Sequence, residues 1–215
     1  MVLIFDEVVT GFRVSKGGAQ LRYGVTPDMS THAKVLAGGL PGGAVVGKKD
    51  ILDMIQHRGD PKWDSQKRVA HPGTFNANPL SSVAGAAALS IIANEPINER
   101  CDVLAERLKS GINDVLIRNE IDGFAYGVSS IVFIGLGISP EFDSNGICVV
   151  QHDKIRKAAD PRMVGALRKA LLNEGIATQG GRVWRLSAAH TESNIDDSIG
   201  SFEKALDAVR KDGFI

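Results

Sequence analysis

The chain opens on Met1-Val2-Leu3-Ile4-Phe5-Asp6-Glu7, five apolar residues that end abruptly in two acids. Such a run has no polar face to offer water, so it reads as a β-strand buried on both faces of a parallel sheet. That points to an α/β fold. In open α/β sheets, ligands bind beyond the carboxyl ends of the strands, which is where Asp6 and Glu7 stand. A central parallel strand is rarely the first element of a domain. A segment upstream of Met1 is therefore expected to be missing from these 215 residues.

Two chemistries use an acid at that place. In a P-loop ATPase, an apolar strand ending in Asp-Glu holds Mg²⁺ and orients water. In a pyridoxal phosphate enzyme, the strand-end Asp pairs with the pyridine nitrogen. Lys34 bears on the choice. It lies between Ala33 and Val35, ahead of Gly38-Gly39-Leu40-Pro41-Gly42-Gly43. Apolar surroundings disfavour the ammonium form, and the free amine is what a Schiff-base nucleophile needs. Lys34 follows Asp6 by 28 residues, about one βαβ unit, so both fit one sheet edge. A pyridine-pairing acid and a Schiff-base lysine are the two protein groups that pyridoxal chemistry requires. A Walker-B reading of Asp6-Glu7 also needs a GxxxxGK[ST] loop, which is not in this sequence.

Composition narrows the partners. Lys and Arg number 25 against 25 Asp and Glu, so the formal charge is zero. Nucleic-acid binding needs a basic surface, so none is expected. No apolar run approaches the ~20 residues of a membrane-spanning helix, so no membrane association is expected either. Cys101 and Cys148 form no CxxC pair and are read as two thiols in a reducing, cytoplasmic setting. The five histidines contain no tight ligand pair, so no metal site is expected.

The stretch Val2-Leu3-Ile4-Phe5-Asp6-Glu7-Val8-Val9-Thr10-Gly11-Phe12-Arg13, with Tyr23-Gly24-Val25-Thr26-Pro27-Asp28, Lys34 and Gly38-Gly39-Leu40-Pro41, resembles the class III aminotransferases of fold type I. The likeness resumes at His71-Pro72-Gly73-Thr74-Phe75-Asn76-Ala77-Asn78-Pro79 and at Ser187-Ala188-Ala189-His190-Thr191-Glu192. Within the family, the motifs are most similar to the glutamate-1-semialdehyde aminomutase branch. The resemblance implies an α/β fold: part of a large domain with a mostly parallel sheet over residues 1–100, and a small α+β domain over 101–215 joined by a long helix. It implies pyridoxal 5'-phosphate as cofactor and transfer of an amino group between an amino acid or amine and a keto acid or aldehyde.

By the same resemblance, Asp6 pairs with the ring nitrogen, Val8 packs on a ring face and Lys34 carries the cofactor. Gly73 and Thr74 reach the cofactor phosphate of the neighbouring subunit in a homodimer with shared sites. Glu7 is expected to hold a hydrogen bond behind the site. Where the aminomutase branch carries a glutamate before its Ser-Ala-His-Thr segment, this sequence has Arg182, a candidate for a substrate carboxylate. The resemblance implies that these residues are the C-terminal half of a larger enzyme, whose N-terminal half supplies a phosphate loop and a stacking aromatic that are not identifiable here. The isolated chain is therefore expected to show little or no turnover, and a non-catalytic remnant stands as a further alternative.

The rest of the chain reads as packed elements. Asn78-Pro79 starts a helix with a buried run over Val83–Ile92, and Pro96 opens the long helix. Gln56–Arg68 reads as a mobile polar loop. Ser129–Ile138 reads as a strand, as do Ile176–Thr178 and Val183–Ser187. Asp160-Pro161 starts another helix, with Gly175 beyond its end. His152 is read as a loop residue and His190 as a brace for Ser187. Met29, Met54 and Met163 are read as core. Ile195, Ile199, Phe202, Leu206 and Val209, at spacings of 4, 3, 4 and 3, mark the last helix.

Overall fold

A computed structural model describes residues 1–144 and 148–215. They divide into two compact units, Met1–Asn98 and Glu99–Ile215.

In the first unit, β1 (Ile4–Glu7), α1 (Gly18–Tyr23) and β2 (Met29–Ala33) form a right-sized βαβ repeat, and β1 and β2 run parallel. The pairing sets Asp6 opposite Thr31 and Glu7 opposite His32. A 3-10 helix, Lys34–Ala37, follows β2 directly, and β3 (Gly43–Gly47) returns antiparallel to it. The sheet is thus mixed. The link from β2 to β3 is too short for the crossover of a dozen or more residues that a parallel pair needs. Asp28 ties the sheet's near end, accepting the Leu3 N–H at 2.7 Å and the Lys48 ammonium at 2.6 Å. Those two donors hold its carboxyl below the usual aspartate range.

β1 corrects an expectation. It lies at the edge of the described sheet, in the order β1-β2-β3. Val2, Leu3 and Ile4 are exposed, Ile4 at 57%, and β1 pairs on one side only. The segment after β3 is also more ordered than a loop. Within it α2 (Lys49–Leu52) precedes α3 (Pro61–Gln66), whose first turn is capped by Asp60 through Lys62 N–H and Trp63 N–H. The Arg58 guanidinium lies 3.6 Å over the Trp63 ring, and the indole N–H reaches Gln56 O at 3.0 Å.

α4 (Pro79–Asn94) starts where the sequence places it, with Asn78 Oδ1 accepting the Ser81 N–H at 3.1 Å. It is not a buried helix in this chain. Only Gly85 and Ile92 are buried, while Leu80, Val83 and Ile91 are exposed, Val83 at 70%. Its buried side touches the 3-10 helix so closely that a Cβ on Gly85 would meet Leu36 O at 2.5 Å, and one on Gly38 would meet Ala84 O at 2.5 Å. Glycine at both places lets the two backbones meet.

The second unit begins within the first turn of α5 (Ile97–Arg118). Almost all of this long helix therefore belongs to the second unit. β4 (Gly123–Val128), β5 (Ile131–Leu136) and β6 (Val183–Arg185) form an antiparallel sheet in that order, with α6 (His152–Ala158), α7 (Pro161–Asn173) and α8 (Glu192–Lys211). The expected single strand over 129–138 is instead the second arm of a hairpin. Ser129, at φ 52°, turns the chain between β4 and β5. Ile176–Thr178 is not a strand either. The Ile176 N–H bonds Leu171 O at the end of α7, and Gly180 and Gly181, both at positive φ, turn the chain so that Gln179 bridges Val183. Beyond Arg185, the end of β6, the Leu186 N–H bonds Ser130 O in the same antiparallel register.

One apolar core fills this unit. Leu108, Ile112 and Leu116 of α5 meet Leu136 of β5, Leu167 of α7 and Phe202 of α8. Met163 joins them, whereas Met54 of the first unit is exposed. Cys101 is buried and no disulfide joins it to Cys148. His152 is the first residue of α6, not a loop residue. Among the described residues, no single helix is long and apolar enough to cross a membrane.

Candidate active site

Asp6 and Lys34 meet around one residue. Asp6 Oδ1 accepts the Val8 N–H at 3.0 Å, and Lys34 Nζ approaches Val8 O at 3.4 Å. The two candidate groups therefore contact the same residue from its two backbone sides. Thr31 Oγ1, across the strand pair, lies 3.4 Å from the same Asp6 oxygen. Asp6 Oδ2 has no hydrogen-bond partner among the described residues, so an acceptor remains for a donor from outside.

Lys34 adopts φ 52° at the start of the 3-10 helix. A non-glycine residue in the left-handed region carries strain, and such strain gathers at functional sites. Its side chain is exposed, so the desolvation expected from Ala33 and Val35 is not present in this chain.

Behind the exposed face lies a buried polar layer, of which the sequence suggested only the hydrogen bond of Glu7. Strand alternation sends Asp6 and Thr31 to one face and Glu7, Ser30 and His32 to the other, where all three are buried. His32 Nε2 is 2.9 Å from Ser30 Oγ, and its ring lies 5.5 Å from that of Phe12. Asn98 Nδ2 donates to Phe12 O at 3.1 Å and Arg13 O at 2.8 Å, fastening the loop after β1. Nothing local in the sequence signals Asn98, which lies 86 residues from Phe12.

Gly73 and Thr74 are exposed in a turn of the first unit, held by Asn76 N–H on Gly73 O at 3.0 Å. Among the described residues, they form no hydrogen bond to Asp6, Val8 or Lys34. A cleft of about 660 Å³ opens beside this turn, lined by Leu36, Ala37, His71, Phe75, Asn76 and Ser81. Neither Asp6 nor Lys34 lines it.

Arg182 belongs to the second unit, half-buried just before β6. Its backbone carbonyl accepts the Ile134 N–H at 2.9 Å. Burial raises the phenol of Tyr126 above its usual range, and the Arg182 guanidinium partly offsets this. His190 Nδ1 accepts the Ser187 N–H at 3.0 Å, so the brace expected there is present.

The family model described as aminotransferase class-III matches residues 1–206. The chain belongs to the class III aminotransferases. Over 210 residues it is 35% identical to a glutamate-1-semialdehyde 2,1-aminomutase of Methanopyrus kandleri, covering 97% of this chain and 45% of that protein. A similar aminomutase of Methanococcoides burtonii is 32% identical over 209 residues, covering 94% of this chain and 44% of that protein. The chain thus spans about half the length of the curated relatives it matches. The crystal structure of an omega-transaminase from Sphaerobacter thermophilus superposes with a TM-score of 0.81 at 29% identity, covering 98% of this chain and 45% of that one. The fold is accordingly part of fold type I, as expected from the motifs. The Walker-B alternative for Asp6-Glu7 is set aside by the same family match.

Proposed function

We propose that this class III aminotransferase chain carries the residues that hold the ring nitrogen and the aldehyde carbon of pyridoxal 5'-phosphate. The whole protein then moves an amino group between an amino acid or amine and a keto acid or aldehyde. The observation that carries the reading is the convergence of Asp6 and Lys34 on Val8, with one Asp6 oxygen left without a partner among the described residues.

The residues fit the cofactor. Asp6, held by the Val8 N–H, offers its free oxygen to a pyridinium N–H. When bound, pyridoxal phosphate supplies an aldehyde and an electron-withdrawing ring that stabilises negative charge on the substrate carbon. Lys34 Nζ takes the proton from that carbon and returns it, as a general base and then a general acid. Val8 covers one ring face. In this reading, residues 1–98 are part of the cofactor-binding large domain and 99–215 form the small domain. Gly73 and Thr74 serve the phosphate site of a partner subunit in a homodimer, which agrees with their exposure and lack of bonds to Asp6 or Lys34. The exposed apolar face of α4 is covered in that assembly. Arg182 is the candidate for a substrate carboxylate.

The test is trapping. The chain is incubated with pyridoxal phosphate, reduced with borohydride and mapped by peptide mass. The label is expected chiefly on Lys34, and Lys34→Ala should remove it. A label spread evenly over the exposed lysines, unchanged by the substitution, would overturn the assignment.

A further inference from the structure

The strongest feature outside the contacts already assigned is the buried carboxylate of Glu7. It is 1% exposed, the one charged side chain among the largest fully buried ones. Its oxygens accept three donors: Thr10 Oγ1–H at 2.7 Å, Ala19 N–H at 2.8 Å and Gln20 N–H at 3.2 Å. Its backbone carbonyl takes the Gly11 N–H at 2.9 Å. Gly18 sits at φ 70°, and a Cβ there would lie 2.6 Å from both carboxylate oxygens, so the loop closes directly onto the acid. A buried carboxylate is costly unless fully hydrogen-bonded, and here each oxygen is engaged.

Glu7 lies in sequence between Asp6 and Val8. One side chain therefore ties the start of the 8–17 loop, through Thr10, to the first turn of α1 at the residue that precedes Val8. We infer that Glu7 is a positioning residue: its buried carboxylate locks the 8–17 loop against α1 so that Val8 presents its N–H to Asp6 and its C=O to Lys34. The inference rests on the cofactor reading for its consequence, but the lock itself is a property of the chain alone.

Two measurements on the 215-residue chain separate these. The first is amide hydrogen exchange. Glu7→Gln keeps the shape but turns an amide nitrogen toward a donor. Losing a hydrogen bond to a charged group should speed exchange of the Val8, Ala19 and Gln20 amides by about tenfold or more. The amides of α5 and α8 should not change, which controls for folding. The second is trapping with pyridoxal phosphate and borohydride. In Glu7→Gln, the share of label on Lys34 should fall to that of an ordinary exposed lysine.

Thr10→Val removes one of the three donors and is the milder variant if Glu7→Gln does not fold. It should move both readouts in the same direction by a smaller factor. An unchanged Val8 amide in a folded variant would overturn the lock. Faster exchange with the Lys34 label intact would reduce Glu7 to a structural role and overturn the positioning claim. If the parent chain itself shows no preference for Lys34, the cofactor reading fails, and the Val8 amide alone decides the lock.

Discussion

The two units of this chain solve burial in different ways. The second unit closes a continuous apolar core, with Leu108, Ile112, Leu136, Leu167 and Phe202 fully or almost fully buried. The first buries mainly small and polar groups, among them Glu7, Ser30, His32 and Asn98, while Ile4, Phe75, Leu80 and Val83 face outward. Yet the first unit carries Asp6, Val8 and Lys34. The difference teaches that the candidate site is held by directional bonds, through Glu7, Asp28 and Asn98, whereas the second unit is held by packing. Hydrogen bonds fix angles but contribute only modestly each, while packed apolar surface is the larger source of stability.

This contrast can be broken most directly in the second core. Phe202→Ala is expected to cost about 3–5 kcal/mol, the usual loss for a buried Phe. The check is denaturant unfolding followed by Trp184, whose ring meets Phe202 edge-on at 6.2 Å, in a Trp63→Phe background. By the same logic Val83→Ala in the first unit should lie within about 0.5 kcal/mol of the parent. A comparable loss at both positions would erase the distinction.

Helix caps give the next effect. Thr191 caps α8 in a reciprocal box with Asn194, and Asn78 caps α4. Alanine at either should cost about 1 kcal/mol. At Thr191 the loss should appear as a shift of the cooperative transition seen by Trp184. At Asn78 it should appear as faster amide exchange in α4 with little shift of that transition. A shift of equal size from both caps would mean that the units unfold as one.

The smallest expected effect is electrostatic. Arg118 forks onto Glu203, with Nε–H to Oε1 at 2.7 Å, and Asn119 Nδ2 adds a donor at 3.1 Å. These bonds, the Arg118 one first, lower the Glu203 pKa from 4.5 to about 2. A lowered folded-state value means the contribution is fully present above pH 4.5 and lost as pH falls from there through 2. Because both side chains are partly exposed, Glu203→Gln should cost roughly 0.5–1 kcal/mol at neutral pH. It should also flatten the stability profile across that acid window, as measured by urea midpoints from pH 7 to 2.5.

Helix ends were the most legible part of the fold. Asn78-Pro79 and Asp160-Pro161 announce α4 and α7, since cap and proline chemistry is local. The spacing in α8 likewise foretold its buried stripe. Burial was far less legible. The apolar runs of β1 and α4 signal surfaces that avoid water, but not which surface meets them, and in this chain most stays exposed. The hairpin at Ser129 and the turn at Gly180-Gly181 depend on backbone angles that residue identity only weakly suggests. Among the candidate site residues, the spacing of Asp6 and Lys34 put both at one sheet edge. Their common contact at Val8 and the fastening by Asn98 were not legible, because both depend on where a loop returns.

By itself, the sequence determined the family, the βαβ placement of Asp6 and Lys34 and the amphipathic helices of the second unit, all carried by short motifs and periodicity. Only the tertiary structure decided that Glu7 turns inward to three donors, that Val8 bridges the two candidate residues Asp6 and Lys34, and that one unit closes a core while the other leaves apolar faces bare. The physical reason is range. Caps and periods act over a few residues, whereas burial and directional bonds depend on segments brought together from far along the chain.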